Sequence, residues 1–125
     1  MLSSALHHGY IFLTVLFTVY GQLVLKWQVS LAGVPPADTL EKTAYLLKLL
    51  FNPWVISGFF AAFLAALSWM LAMARFDLSY AYPFMSLAFV LVLMLSGVIF
   101  GEAVTLPKVV GLALIVGGIV LSSQG

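Results

Sequence analysis

Thr14, Thr18, Gln22 and Lys26 stand four residues apart inside an otherwise apolar run. On a helix that spacing draws a slowly winding polar line along one side. A buried hydroxyl or amide needs a partner, so the line must face other helices or a wet groove rather than lipid. Its order, two hydroxyls, an amide and then an ammonium at the end, suits a polar ligand that carries an anion. The same residues also have a plainer chemistry. The threonines can bond their own backbone carbonyls, Gln22 can bridge two helices, and Lys26 can reach the headgroup region.

A second cluster lies in SYAYPFMS, where Ser79, Tyr82 and Ser86 follow a spacing of three and four and so share a helix face. Pro83 has no amide hydrogen, which deprives the Ser79 carbonyl of its ordinary donor. Tyr80 and Tyr82 fit an aromatic belt equally well. Further along, Gly111 and Gly118 recur seven apart with Gly117 beside them. Small residues on one face let helices approach closely, so this is a candidate dimer seam. His7 and His8 are adjacent, a poor geometry for holding one metal ion. Phosphate loops, metal motifs and nucleophile elbows are absent from the sequence, and there are no cysteines. Neither an enzyme nor a bound cofactor or metal is expected, and a net charge of +1 offers no footprint for nucleic acid.

The elements that must position these groups follow from composition. The 125 residues are 64% hydrophobic and 7% charged, against roughly 45–50% and 25% in a soluble domain. So small a core cannot hide that excess, and the surplus must face lipid. Uncharged stretches at 1–25, 49–74, 78–101 and 109–125 predict an all-α membrane protein with four transmembrane helices, at about 9–27, 53–75, 79–100 and 107–122. The first stretch lacks the basic start and the small-residue cleavage site of a signal peptide, and is read as a retained helix. Pro35 and Pro36 interrupt the chain after it. In residues 39–51 apolar positions are interleaved with Glu41, Lys42 and Lys48, which predicts a short helix at the interface. The whole chain is expected to be one transmembrane domain. Lys26, Lys42, Lys48 and Lys108 fall on one side and Arg75 on the other, so the positive-inside rule places both termini outside the cytoplasm.

AYPFMSLAFV, followed by GEAVTLPKVVGLALIVGGIVL, resembles the end of a single repeat of the drug/metabolite transporter superfamily, the EamA-like and small multidrug-resistance proteins, in its four-helix form. GQLVLK resembles the end of that family's first helix. The resemblance spans essentially the whole chain. It divides between two branches. Small multidrug-resistance transporters carry a proton-exchanging glutamate in the first helix, eight residues before the lysine, where this chain has Thr18. They also place an aromatic residue three after the tyrosine of helix three, where this chain has Met85. Gly21 and Gln22, the run Ala81, Tyr82, Pro83, Ser86, Leu87, Phe89 and Val90, and Gly117 to Val120 look instead like the paired flippase subunits that move aminoarabinose-linked undecaprenyl phosphate across the bacterial inner membrane.

That resemblance implies a dimer, either of this chain with itself or with a paralogous four-helix subunit, that translocates a lipid-linked sugar through a groove lined by helices one to three. Gln22, Tyr82 and Ser86 are the expected hydrogen-bond contacts for the sugar and Lys26 or Arg75 for the phosphate, with Thr18 as a further substrate-binding residue. The other readings are a cation or metabolite antiporter coupled to protons, and a non-transporting subunit of a glycosyltransferase assembly.

Overall fold

The computed structural model describes residues 2–124, together with the side chains of residues 6–121 and Gln124. The described chain is helical: α1 (Leu2–Ala32), α2 (Thr39–Leu50), α3 (Pro53–Met73), α4 (Leu78–Ala81), a 3₁₀ turn (Tyr82–Met85), α5 (Ser86–Phe100) and α6 (Leu106–Ser123). Three helical segments, Leu6–Ala32, Pro53–Met73 and Leu78–Phe100, are long and apolar enough to cross a membrane. Leu106–Leu121 is a shorter apolar helix. The chain is a multi-pass membrane protein.

The first helix runs well past the apolar run at 9–27. No proline interrupts it before Pro35, and it stops where Gly33 takes a left-handed backbone with φ of 85°. The third apolar segment is not one helix. Pro83 cannot donate to Ser79, and over Tyr82–Met85 the helix tightens to a 3₁₀ turn before α5 resumes. The Ser86 hydroxyl donates to the Pro83 carbonyl, 2.5 Å away.

Packing begins with α1 against α3. In lipid there is no hydrophobic drive between helices, so close backbone approach and hydrogen bonds must hold them. α3 supplies a stripe of small buried residues, Gly58, Ala61, Ala65, Ser68 and Ala72. At its tightest point α1 meets that stripe glycine to glycine: a Cβ on Gly21 would stand 3.1 Å from the Gly58 carbonyl oxygen. Around this crossing the Tyr20 and Ser57 hydroxyls bond at 2.9 Å, and Trp27 packs edge-on to Trp54 with centroids 5.3 Å apart. Asn52 has two uses. Its side-chain oxygen caps α3 by accepting from the Trp54 amide at 2.8 Å, and its amide nitrogen donates to buried Gln28 of α1 at 3.0 Å.

A neighbouring face of α1 takes α5. Val15 and Val19 pack with Ala88, flanked by Leu91, Val92 and Leu95. Toward the N-terminal end of α1, Ile11, Ala72 and Ala81 form a second small core with Trp69, Phe76 and Phe84 around it. Most of α6 is exposed within this single chain.

The glycine crossing sets a measurable expectation. Gly21→Ala pushes a methyl group against backbone, which cannot rotate away, and Gly21→Val adds two more carbons to the same contact. Unfolding titrations in mixed micelles should show a loss of about 1–3 kcal/mol for Gly21→Val, with Gly21→Ala in between. Gly58→Ala should cost less than Gly21→Ala, because its added carbon meets its nearest neighbours at an ordinary 3.6 Å.

Candidate functional site

The polar line of α1 divides along its length. Thr14 is buried and spends its hydroxyl on the Tyr10 carbonyl, 2.8 Å away, as a self-bonded threonine. Thr18 and Gln22 instead line a groove of about 760 Å³ between α1, α5 and α6. Its walls are apolar, formed by Ala88, Phe89, Val92, Leu93, Leu112 and Ile115, and buried Ser96 lies against it with its hydroxyl donated to the Leu93 carbonyl at 3.2 Å. Gln22 is exposed and Thr18 half-buried, so the amide presents unspent donors and an acceptor to the groove space.

Charge enters at one end only. Glu102 and Lys108 line the groove there, and Lys26 Nζ lies 3.5 Å from the Glu102 carboxylate, the two side chains being 53% and 42% exposed. The local sequence aims Glu102 this way. Gly101 takes a left-handed backbone, φ 66°, that ends α5, and the Ser96 carbonyl accepts from the amides of both Gly101 and Glu102, the latter at 3.4 Å. Gly97 leaves room for Val104 to fold back on α5; a Cβ at 97 would meet the Val104 side chain at 2.7 Å. Thr105 then starts α6, its hydroxyl 3.4 Å from the Lys108 amide, and Lys108 Nζ donates to the Ala103 carbonyl at 2.9 Å. The mouth thus holds two ammonium groups and one carboxylate.

The remaining sequence candidates lie elsewhere. Tyr82 is exposed, packs edge-on to Trp69 with centroids 6.1 Å apart, and lines a separate hollow with Ser79, Pro83 and Gly118. Ser86 is buried and committed to the Pro83 carbonyl. Arg75 is exposed just beyond the C-terminal end of α3, whose N-terminal end carries the Asn52 bond to Gln28 and so lies by the mouth. Gly111 faces the groove. Among the described residues, and apart from the backbone of α6 itself, nothing comes within 4 Å of a Cβ built on Gly111, Gly117 or Gly118. The groove is therefore walled by the first, third and fourth apolar helices and not by the first three, because α3 is spent on the opposite contact with α1.

Sequence reasoning missed Glu102, Ser96 and Lys108 as groove residues. Glu102 looks like a turn residue, and only the Gly101 cap and the ion pair show that it turns inward. Ser96 does carry a signal: it is a lone hydroxyl in an apolar run, ten residues after Ser86. Among the described residues no cluster of His, Cys, Asp or Glu could hold a metal ion.

A membrane helix bundle with an apolar-walled side groove, holding an uncharged amide and hydroxyl within and ions at its mouth, has the architecture of a small transporter. The chain belongs to the EamA-like transporter family, whose pattern matches residues 5–124. It is 30% identical to a probable 4-amino-4-deoxy-L-arabinose-phosphoundecaprenol flippase subunit ArnE of Pseudomonas fluorescens, over 86% of this chain and 88% of the relative. It is 36% identical to the subunit of the same name from Pseudomonas aeruginosa, over 86% and 89%. It is also 30% identical to a probable 4-amino-4-deoxy-L-arabinose-phosphoundecaprenol flippase subunit ArnF of Serratia proteamaculans, over 89% and 88%. No solved structure matches the chain.

An ion pair this exposed contributes little to folding, because water screens it and two flexible side chains must be held still. Removing the charge in Glu102→Gln should change unfolding stability by less than about 1 kcal/mol. Thermal unfolding in detergent checks this, and a large loss would mean that the pair anchors the loop between α5 and α6.

Proposed function

We propose that this chain is a subunit of a flippase that carries a polyprenyl-phosphate-linked sugar, of the aminoarabinose type or a close relative, across the bacterial inner membrane. The observation that carries the reading is the groove holding Thr18 and Gln22 with its ions confined to the mouth. A lipid-linked sugar has a polyprenyl tail that can stay in hydrocarbon, a polar ring that needs hydrogen bonds, and a phosphate that needs a cation. The groove offers apolar walls, uncharged polar groups and lysines in a matching order. The names of the relatives agree in kind.

A proton-coupled cation antiporter finds less support. A cation drawn to the middle of the membrane needs a carboxylate there, and Asp38, Glu41, Asp77 and Glu102 all stand in loops, in the short α2 or at turns. The names of the relatives give no support to an enzyme or to a purely structural subunit. Tyr82, Ser86 and Arg75 have a lesser part in this reading than Thr18, Gln22 and Lys26, since they lie outside the groove in the single chain.

In the same reading α6 is the fourth span. Its 18 residues rise about 27 Å, close to the roughly 30 Å of a hydrocarbon core. α2 lies along the interface, the lysine-rich end of the bundle faces the cytoplasm, and both termini face the periplasm. Gly111 and Gly118 recur seven apart on the largely exposed α6, where small residues would let a helix of a second subunit approach closely, either this chain or a paralogous one.

Proteoliposomes containing the chain, alone and with a co-expressed paralogous partner, should speed the translocation of undecaprenyl-phosphate-linked sugar. Gln22→Ala should slow it by about tenfold, the worth of a hydrogen bond made to the moving headgroup, while folding and partner binding stay intact. If neither preparation moves the lipid, the flippase reading fails.

A further inference from the structure

Resting on the lipid-linked sugar reading above, we infer that Glu102 is the residue by which this chain selects an amino sugar over a neutral one, and that it does so by exchanging Lys26 for the ammonium group of the sugar. The mouth holds Lys26 and Lys108 with Glu102 between their reach: the carboxylate pairs with one ammonium, and the other binds the carbonyl of the residue next to it. A headgroup with a phosphate at one end of its ring and an ammonium further round it can satisfy all three groups at once. The phosphate takes the lysines, and the sugar's ammonium takes the carboxylate they leave.

The exchange is open to the ligand because the pair in place is weak. At 3.5 Å, with about half of each side chain in solvent, the Lys26 and Glu102 contact is a screened surface pair. Neither partner is buried in a way that would strand a charge when it opens. The backbone that carries the carboxylate is held at the groove by the Gly101 turn and by the amides of Gly101 and Glu102 donating to the Ser96 carbonyl.

The same geometry works against the wrong lipid. A neutral sugar on a phosphate would draw away Lys26 and leave Glu102 facing the phosphate with no cation of its own. Discrimination then comes from the repulsion of the competitor as well as from attraction of the amine. Charge matching of this kind at a half-exposed mouth supports a preference of about three- to tenfold.

The experiment compares two lipids in proteoliposomes carrying the complete protein with whichever partner the flipping assay requires. One is undecaprenyl-phosphate-linked 4-amino-4-deoxy-arabinose, and the other is identical but for a hydroxyl in place of the amine. The wild type should move the amino lipid about three- to tenfold faster. Glu102→Gln should slow the amino lipid and speed the hydroxyl lipid, bringing the ratio toward one, and Glu102→Asp should keep the preference. A merely structural role for Glu102 would lower both rates together and leave the ratio where it was, which overturns the inference. So does a wild type that moves both lipids equally, a result that needs no variant to fold. If the wild type moves neither lipid, the flippase reading falls and takes this one with it.

Discussion

The closeness of α1 and α3 at Gly21 and Gly58 is the constraint from which the rest of the architecture follows. With a 3.1 Å allowance for even a methyl group at Gly21, the two backbones are nearly in contact. Van der Waals packing and the Gln28 to Asn52 and Tyr20 to Ser57 bonds can then hold the helices together in a solvent as apolar as they are. This contact consumes one side of α1, and Val15 and Val19 consume the next against α5. Thr18 and Gln22 occupy the side that remains. The groove exists because two of the three faces of its central helix are already taken.

Where charge sits follows from the same economy of solvation. An ion at mid-membrane is costly, and here no Asp, Glu, Lys or Arg interrupts residues 53–73 or 78–100. At the end of the bundle away from the mouth the polar work is done by rings. His8 Nε2 meets the Tyr80 hydroxyl at 3.0 Å, and Phe76, Tyr80 and Phe84 stack around the imidazole with centroids between 4.7 and 6.0 Å. His8 and Lys26 are about 27 Å apart along α1, so an exposed aromatic cluster, with Arg75 and Asp77 beside it in sequence, marks one end of the bundle and the Lys26 and Glu102 pair the other.

Much of this is visible in the sequence, and what is not has a physical cause. A period of four among Thr14, Thr18, Gln22 and Lys26 marks the polar side of α1, since a single helix obeys its own geometry. Whether Thr14 would turn to Tyr10 or to a neighbour is decided by which helix covers it, and that is a tertiary matter. Gly111 and Gly118 attract notice as a small-residue seam, but the stripe that does the packing inside the chain is Gly58, Ala61, Ala65, Ser68 and Ala72. Its alternation of threes and fours is plain in the sequence and is camouflaged there by the large apolar residues between. Pro83 announces a local disturbance, and the 3₁₀ turn is its form. The Lys26 and Glu102 pair joins residues 76 apart, and no local pattern could foretell it.

α2 stands apart from all of this. It buries none of its residues fully, and besides its chain connections it is tied to α1 by the Tyr45 hydroxyl donating to the Gly33 carbonyl at 2.8 Å. Twelve residues are too few for a helix to persist in water on its own propensity. Leu40, Leu46, Leu47 and Leu50 lie open to whatever medium adjoins them. The helicity of this segment is thus lent by its surroundings, and the total helix content of the protein becomes a property shared with the solvent. Circular dichroism in bilayers, in mild detergent and in harsh detergent would then report partly on the host and not on the chain alone.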